Sequence, residues 1–403
     1  MPVFKIRENI FSIGVLNPGM RVFDIIMRTD FGTSYNAFAV SGADRTVLID
    51  TVHERFADEY FANLDELLGS RRPDALIIQH CEPDHTGTVE QLLRRYPGIE
   101  VLTTQAGAVN IKKITNDPSI NLRVVADGET YDLGGERLRF ISAPFLHWPD
   151  TMFTYDAARR VVFTCDFLGC HYCEPAVYDA AIKYPGAYEE AFHNYYIGVL
   201  SPFKKYVIAG LDKLDALDFD AVCPSHGPVL TGGRIAAAGA KYREWSAPAP
   251  VEAKSSVCVF YCSAYGYTKM LAERIADGIK ESAQYGVELY DLNETPPQHA
   301  AARINECGAF LIGSPTLNRD AVGPIWALLA SVDGINSRNR PCAAFGSFGW
   351  SGEAVPNIEA RLAGLKCKVF SQNLKVQFRP SGAELEAAEK FGQDFAAWLG
   401  EGK

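Results

Sequence analysis

The chain has 403 residues, more than one ordinary core holds, so two domains are expected. With 47% hydrophobic and 22% charged residues it has the make-up of a soluble globular protein, and no apolar run reaches the length of a membrane span. A net charge of -10 repels phosphate backbones and argues against nucleic acid as a partner.

The opening run Met1-Pro-Val-Phe-Lys-Ile-Arg-Glu lacks the apolar core of a secretory signal, so the cytoplasm is the expected location. Alternating and β-branched residues predict strands at 35–40 and 46–50, followed by a helix over 54–68. Residues 75–79 read as a buried strand, and the next helix is expected to begin near Thr86. Further strands are expected at 138–142 and 160–165. Short strands mixed with helices in this way predict two sheets sandwiched between helices. Around 244–256 alternating Ala and Pro favour an extended connector, which places domains at 1–250 and 255–403. Beyond it, strands at 256–261, 287–291, 309–313, 342–346 and 367–369 alternate with helices, the first at about 269–283. That rhythm predicts a doubly wound, five-stranded parallel sheet.

The ten cysteines sit mostly in apolar stretches and read as reduced core thiols. Cys170-His-Tyr-Cys173 lacks the second pair that a structural zinc or rubredoxin-type iron site needs. The densest chemical signal is His80-Cys-Glu82-Pro-Asp84-His85, directly after the buried strand. Four potential ligands at a strand end suit a loop site. His147, Asp166 and His226 each follow another strand-like run. Singly, such a His is an ordinary hydrogen-bonded residue and such an Asp a helix cap. Together, so many buried ionisable groups call for a cation. Imidazole and carboxylate donors without thiolate favour zinc or non-haem iron.

This pattern resembles the metallo-β-lactamase superfamily, whose hydrolases carry His where this chain has Glu82. A carboxylate there adds negative charge and a harder donor, which shifts preference toward iron. The form with Glu is similar to that of the flavodiiron proteins, and Gly32-Thr-Ser-Tyr-Asn-Ala37 is also close to the family form. The resemblance implies an N-terminal αββα metallo-β-lactamase-like sandwich. It implies that His80, Glu82 and His147 bind one iron, that Asp84, His85 and His226 bind the other, and that Asp166 bridges them. His171 and Tyr195 are expected near this centre or as plain structural residues, whereas His53, His193 and His299 have no ligand neighbourhood.

In the second domain, a strand runs into Cys262-Ser263-Ala-Tyr265-Gly266-Tyr267-Thr268 and then a helix. Hydroxyls and a Gly at a helix N-terminus make an anion cradle. The loop lacks dinucleotide and triphosphate signatures and resembles the flavodoxin phosphate loop, with Tyr265 in place of the middle Thr. Two more loops follow later strands, Ser314-Pro315-Thr316-Leu317-Asn318 and Ser347-Phe348-Gly349-Trp350-Ser-Gly352. In a doubly wound sheet such loops converge on a ligand. The resemblance makes that ligand FMN, with Trp350 placed to cover its ring.

What the resemblance implies is an oxidoreductase that reduces dioxygen to water, nitric oxide to nitrous oxide, or both. Electrons would pass from an external donor, a rubredoxin or a reduced deazaflavin coenzyme, through FMN to the two irons. The expected assembly is a homodimer or a dimer of dimers, in the form of the family without an added C-terminal module. Two other readings stay open on sequence: a zinc hydrolase with a fused flavodoxin-like domain, and an electron carrier that uses only its second half.

Overall fold

The computed structural model of the chain describes residues 3–23, 27–175, 177–247 and 255–401. The chain divides into two compact units, 1–247 and 248–403, and the centre of the expected connector, 248–254, lies outside the described residues.

The first unit contains a seven-stranded and a six-stranded sheet. The seven-stranded sheet runs, in spatial order, Phe4–Arg7, Ile10–Ser12, Phe38–Ser41, Thr46–Ile49, Ala75–Ile77, Glu100–Thr103 and Leu122–Val124. The other keeps chain order from Thr130–Asp132 to Leu230–Thr231, and its strands Val161–Cys165 and Ala221–Pro224 pair in parallel. Phe38, Val40, Ile49 and Ile77 of one sheet pack against Leu138, Phe140, Phe163 and Cys223 of the other. The outer face of the first sheet is covered by the helices Ala57–Leu68, Val89–Arg95 and Gln105–Thr115 through Leu64, Leu92 and Ile111. Pro185–Tyr195, Lys204–Asp215 and Gly233–Trp245 cover the outer face of the second through Phe192, Leu211 and Tyr242. Each helix buries one stripe and each sheet both faces, which is the four-layer αββα arrangement.

Two local expectations are corrected. The run 35–40 is not one strand: Thr33–Tyr35 pairs with Val15–Asn17 in a separate two-stranded sheet, and Phe38–Ser41 joins the large one. The break is pinned by Asn36, whose Nδ2 donates to the carbonyls of Pro224 and Gly227, each at 2.8 Å. Gly14 lets the crossing chains touch, since a Cβ there would lie 2.3 Å from the Tyr35 carbonyl oxygen. Nor does the helix after Ala75–Ile77 wait until Thr86. A four-residue helix starts at Pro83, so Asp84 and His85 sit on a helical turn rather than a loop. Proline at the first helical position costs no hydrogen bond and presets φ.

The second unit is a parallel sheet in the order Gly286–Asp291, Ser256–Tyr261, Ala309–Pro315, Pro341–Phe348. The order in which the chain adds strands reverses between Ser256–Tyr261 and Ala309–Pro315, which creates a switch point at their carboxyl ends. The fifth position is shared. Lys368–Val369 pairs with the start of Pro341–Phe348, and Leu374–Gln377, which the sequence reading missed, pairs with its end. Helices Tyr267–Lys280 and Gly382–Glu401 cover one face through Leu271, Ile275, Phe391 and Phe395. Pro297–Glu306, Gly323–Ala330 and Ala354–Gly364 cover the other through Ile304, Ile325 and Ile358.

Candidate functional site

The seven predicted ligands converge at the carboxyl ends of the strands of the first unit, as two groups: His80, Glu82, His147 and Asp166, and Asp84, His85 and His226. The turn carrying four of them is fixed from three sides. Asp50 accepts from the Gln79 N–H at 2.8 Å, Asp150 accepts from the Cys81 N–H at 2.9 Å, and the Thr51 hydroxyl donates to the His85 carbonyl at 2.7 Å. Gly87 ends this turn where a Cβ would meet the Glu54 nitrogen at 2.4 Å.

Asp166 stands between the groups. Its Oδ2 lies 3.1 Å from His80 Nε2 and 3.0 Å from His147 Nε2, and its Oδ1 lies 3.3 Å from His85 Nε2 and 3.6 Å from His226 Nε2. Glu82 Oε2 joins the first group, 3.3 Å from His80 Nε2 and 3.0 Å from His147 Nε2. Asp84 Oδ2 joins the second, 3.2 Å from both His85 Nε2 and His226 Nε2.

Among the described residues, both Asp84 carboxylate oxygens, Asp166 Oδ1 and the Nε2 atoms of His85 and His226 are buried without a hydrogen-bond partner. They are close to one another but lack hydrogen-bond geometry. Burial in that state is costly unless something shared satisfies them, and ligands around a cation have this form. The donor set, imidazoles and carboxylates without thiolate, fits two borderline or hard divalent ions.

Electrostatics point the same way. Burial pushes Asp166 and Glu82 up, but the charges and hydrogen bonds of the surrounding histidines outweigh it and hold both below the ordinary carboxylate range. Burial pushes His147 down, yet Asp166 and Glu82 lift it to about 9. The cluster as a whole attracts positive charge, which protons or metal ions can supply.

Several neighbours were missed by the sequence reading or left without a role. His226 Nδ1 donates to the Ser34 carbonyl at 2.7 Å, which frees Nε2 as a ligand atom. Thr33 Oγ1 lies 2.9 Å from His171 Nδ1 and 3.3 Å from His226 Nδ1. Both residues sit in the Gly32–Ala37 stretch, the one usable signal. Cys165 Sγ lies 3.1 Å from His80 Nδ1, and nothing in the sequence marked it. His171 is buried against His226, ring centroids 4.7 Å apart, with burial holding it well below the usual imidazole range. Tyr195 is buried and packs edge-on to His171 at 4.9 Å. His53 caps a 3-10 turn, and His193 and His299 are exposed against Trp245 and Tyr290. All ten cysteines are free, Cys170 and Cys173 included.

In the second unit the three expected loops lie at adjacent strand ends and are tied together. Thr268 Oγ1 lies 2.8 Å from Ser347 Oγ, the Thr316 N–H donates to the Ser347 carbonyl at 2.9 Å, and the Lys269 N–H donates to Ser263 Oγ at 3.3 Å. Ser314 is buried and bonded within its own loop, to the Pro315 carbonyl and from the Val322 N–H. The helix Tyr267–Lys280 starts at Gly266, φ 83, with no side-chain cap and no acidic residue in its first turn. The N–H groups of Tyr267 and Thr268 are therefore left to an anion, the Lys269 N–H being taken by Ser263. Trp350 is 99% exposed and Tyr265 82%, and the partly buried Gly349 and Gly352 flank the Trp350 loop. An aromatic ring held in the open beside an anion cradle fits a phosphorylated planar ligand.

No helix among the described residues is long and apolar enough to cross a membrane. A family model described as ODP family beta lactamase matches residues 33–227, and the flavodoxin model matches 259–392. A flavo-diiron protein of Clostridium acetobutylicum, FprA2, is 48% identical over 98% of this chain and 99% of its own length. The anaerobic nitric oxide reductase flavorubredoxin of Vibrio vulnificus is 31% identical over 91% of this chain and 73% of its own. The solved rubredoxin oxygen:oxidoreductase of Desulfovibrio gigas superposes with a TM-score of 0.73 at 26% identity, covering 99% of each chain. With an αββα unit holding a cluster of seven potential metal ligands, a flavodoxin unit and this degree of identity from end to end, the chain belongs to the flavodiiron protein family.

Proposed function

We propose that the chain reduces dioxygen to water, nitric oxide to nitrous oxide, or both. It would hold one iron through His80, Glu82 and His147 and a second through Asp84, His85 and His226, with Asp166 shared between them. The observation that carries this reading is that the two oxygens of one buried carboxylate, Asp166, each face a different ligand group. When bound, the paired irons supply electrons to a small gas and FMN relays them from outside. The protein's own residues set the stage. Asp166 keeps the two halves at a fixed separation. Ser34 orients the His226 ring. His147, with 18% of its side chain exposed, is the ligand that reaches solvent and marks the side from which a gas enters.

FMN would sit on Ser263, Tyr265, Gly266, Tyr267 and Thr268, flanked by Ser314, Pro315, Thr316, Leu317 and Asn318 and by Ser347, Phe348, Gly349, Trp350 and Gly352. The buried Thr268–Ser347 contact supports this arrangement by bracing two of the loops. The donor is an external electron carrier. The name of the Desulfovibrio relative supports a rubredoxin, with a reduced deazaflavin coenzyme as the other candidate. We further propose a cytoplasmic homodimer or dimer of dimers, which sedimentation of the active species tests.

The deciding experiment is anaerobic stopped-flow. Protein loaded with iron and FMN is fully reduced and mixed separately with each gas. Reoxidation of both centres by at least one gas, well above the rate of free FMN, is expected. Failure with both gases, or a protein as purified that carries two zinc ions and no iron, refutes the proposal.

A further inference from the structure

Cys165 closes the strand Val161–Cys165 in the left-handed region, φ 55, immediately before Asp166. Its side chain is fully buried, and its sulfur lies 3.1 Å from His80 Nδ1. The other ring nitrogen, Nε2, faces the cluster at 3.1 Å from Asp166 Oδ2 and 3.3 Å from Glu82 Oε2. An imidazole that offers Nε2 as a lone pair carries its proton on Nδ1, and a buried N–H needs an acceptor. Metal-binding histidines usually donate that proton to a carboxylate, a carbonyl or water. His226 follows the rule, with the Ser34 carbonyl 2.7 Å from its Nδ1. His80 has a sulfur there instead.

We propose that Cys165 is a positioning residue for the metal held by His80, Glu82 and His147: its sulfur accepts the Nδ1 proton of His80 and fixes the tautomer and ring plane that present Nε2. This rests on the two-metal reading above. A thiol is a weaker acceptor than a carbonyl, so it polarises His80 less than Ser34 polarises His226.

The test uses the full protein loaded with iron and FMN. Cys165→Gly removes the acceptor and, at φ 55, relaxes the backbone instead of straining it. Cys165→Ala makes the same deletion with Cβ retained, and Cys165→Ser restores an acceptor. Release of ferrous iron to a chelator is followed anaerobically, with Mössbauer spectra to distinguish the two irons. In the Gly and Ala variants, one iron per chain is expected to leave roughly 10–100-fold faster, with one of the two iron signals altered. FMN content should not change, and the Ser variant should return release toward the parent rate. Unchanged release and unchanged signals in both deletions overturn the inference. So does equal loss of both irons that serine fails to rescue, because the thiol would then be mere packing. A parent protein that binds no iron overturns the two-metal reading as well, whereas a parent with two irons and indifferent variants overturns this inference alone.

Discussion

Replacing Asp166 with Asn keeps the shape of the side chain and removes its charge, so it isolates what the central carboxylate does. In the metal-free protein, each of its oxygens lies within 3.6 Å of two imidazole nitrogens. At an effective dielectric of about 20, a single imidazolium at such a distance attracts the carboxylate by about 5 kcal/mol. Desolvation of the pair offsets part of this, and breaking a buried pair by removing one partner costs about 3–5 kcal/mol net. For a unit of this size each kcal/mol moves the midpoint by about 2–4 °C, so the metal-free variant should melt about 6–20 °C lower. The loaded protein should fare worse, because both metal groups lose their shared anionic ligand. Iron per chain should fall toward zero rather than toward one, while FMN remains. Thermal unfolding of the metal-free forms and elemental analysis of the loaded forms check both expectations. An Asn variant that retains two irons and melts within about 2 °C of the parent would refute the bridging assignment.

The two groups should also separate by mutation. Glu82→Gln removes a carboxylate confined to the His80–His147 group and Asp84→Asn one confined to the other, so each variant should keep close to one iron per chain by elemental analysis. The pH dependence of the metal-free protein follows from His147, whose folded value is raised from 6.5 to about 9 by Asp166 and Glu82. A raised value stabilises the fold in full below about 6.5 and is lost as pH climbs through about 9. The metal-free midpoint should therefore drop across that window, whereas the iron-loaded protein, whose Nε2 holds no proton, should not follow it. In the second unit, Ser263→Ala and Thr268→Val each remove a hydrogen bond that shapes the cradle. At about 0.5–1.5 kcal/mol apiece, each should weaken FMN binding by roughly 2–10-fold in a fluorescence titration, with iron content unaffected.

How much of this was legible in the sequence depended on the range of the interaction involved. The run from His80 to His85 announced itself because four potential ligands fall within six residues. The sheets were legible because burial of both faces leaves continuous apolar strands such as Val161–Cys165. The break at Asn36 was not, since local alternation continues through it and only the carbonyls of Pro224 and Gly227, far along the chain, reveal it. The second half of the fifth position in the flavodoxin sheet, Leu374–Gln377, was too short and too polar to stand out. Thr33, Ser34 and Cys165 are common residues whose importance comes from contacts with ring nitrogens, and such contacts exist only after folding.

The placement of the seven predicted ligands explains why a single unit can hold so many buried charges. His80 follows Ala75–Ile77, His147 follows Arg137–Ser142, Asp166 directly follows Val161–Cys165, and His226 follows Ala221–Pro224. All four strands point their carboxyl ends at the same spot, although the first belongs to one sheet and the others to the second. The strands themselves are apolar and fill the space between the sheets, so they carry the stability. The residues just beyond them contribute little to that core and are left to hold charge. A change of one ligand is therefore expected to alter metal content before it alters the fold. Asp166 is the exception, because its carboxylate meets four imidazoles from three different segments, the turn of His80 and His85 and the strand ends before His147 and His226, and so ties the closure of the sandwich to the cluster.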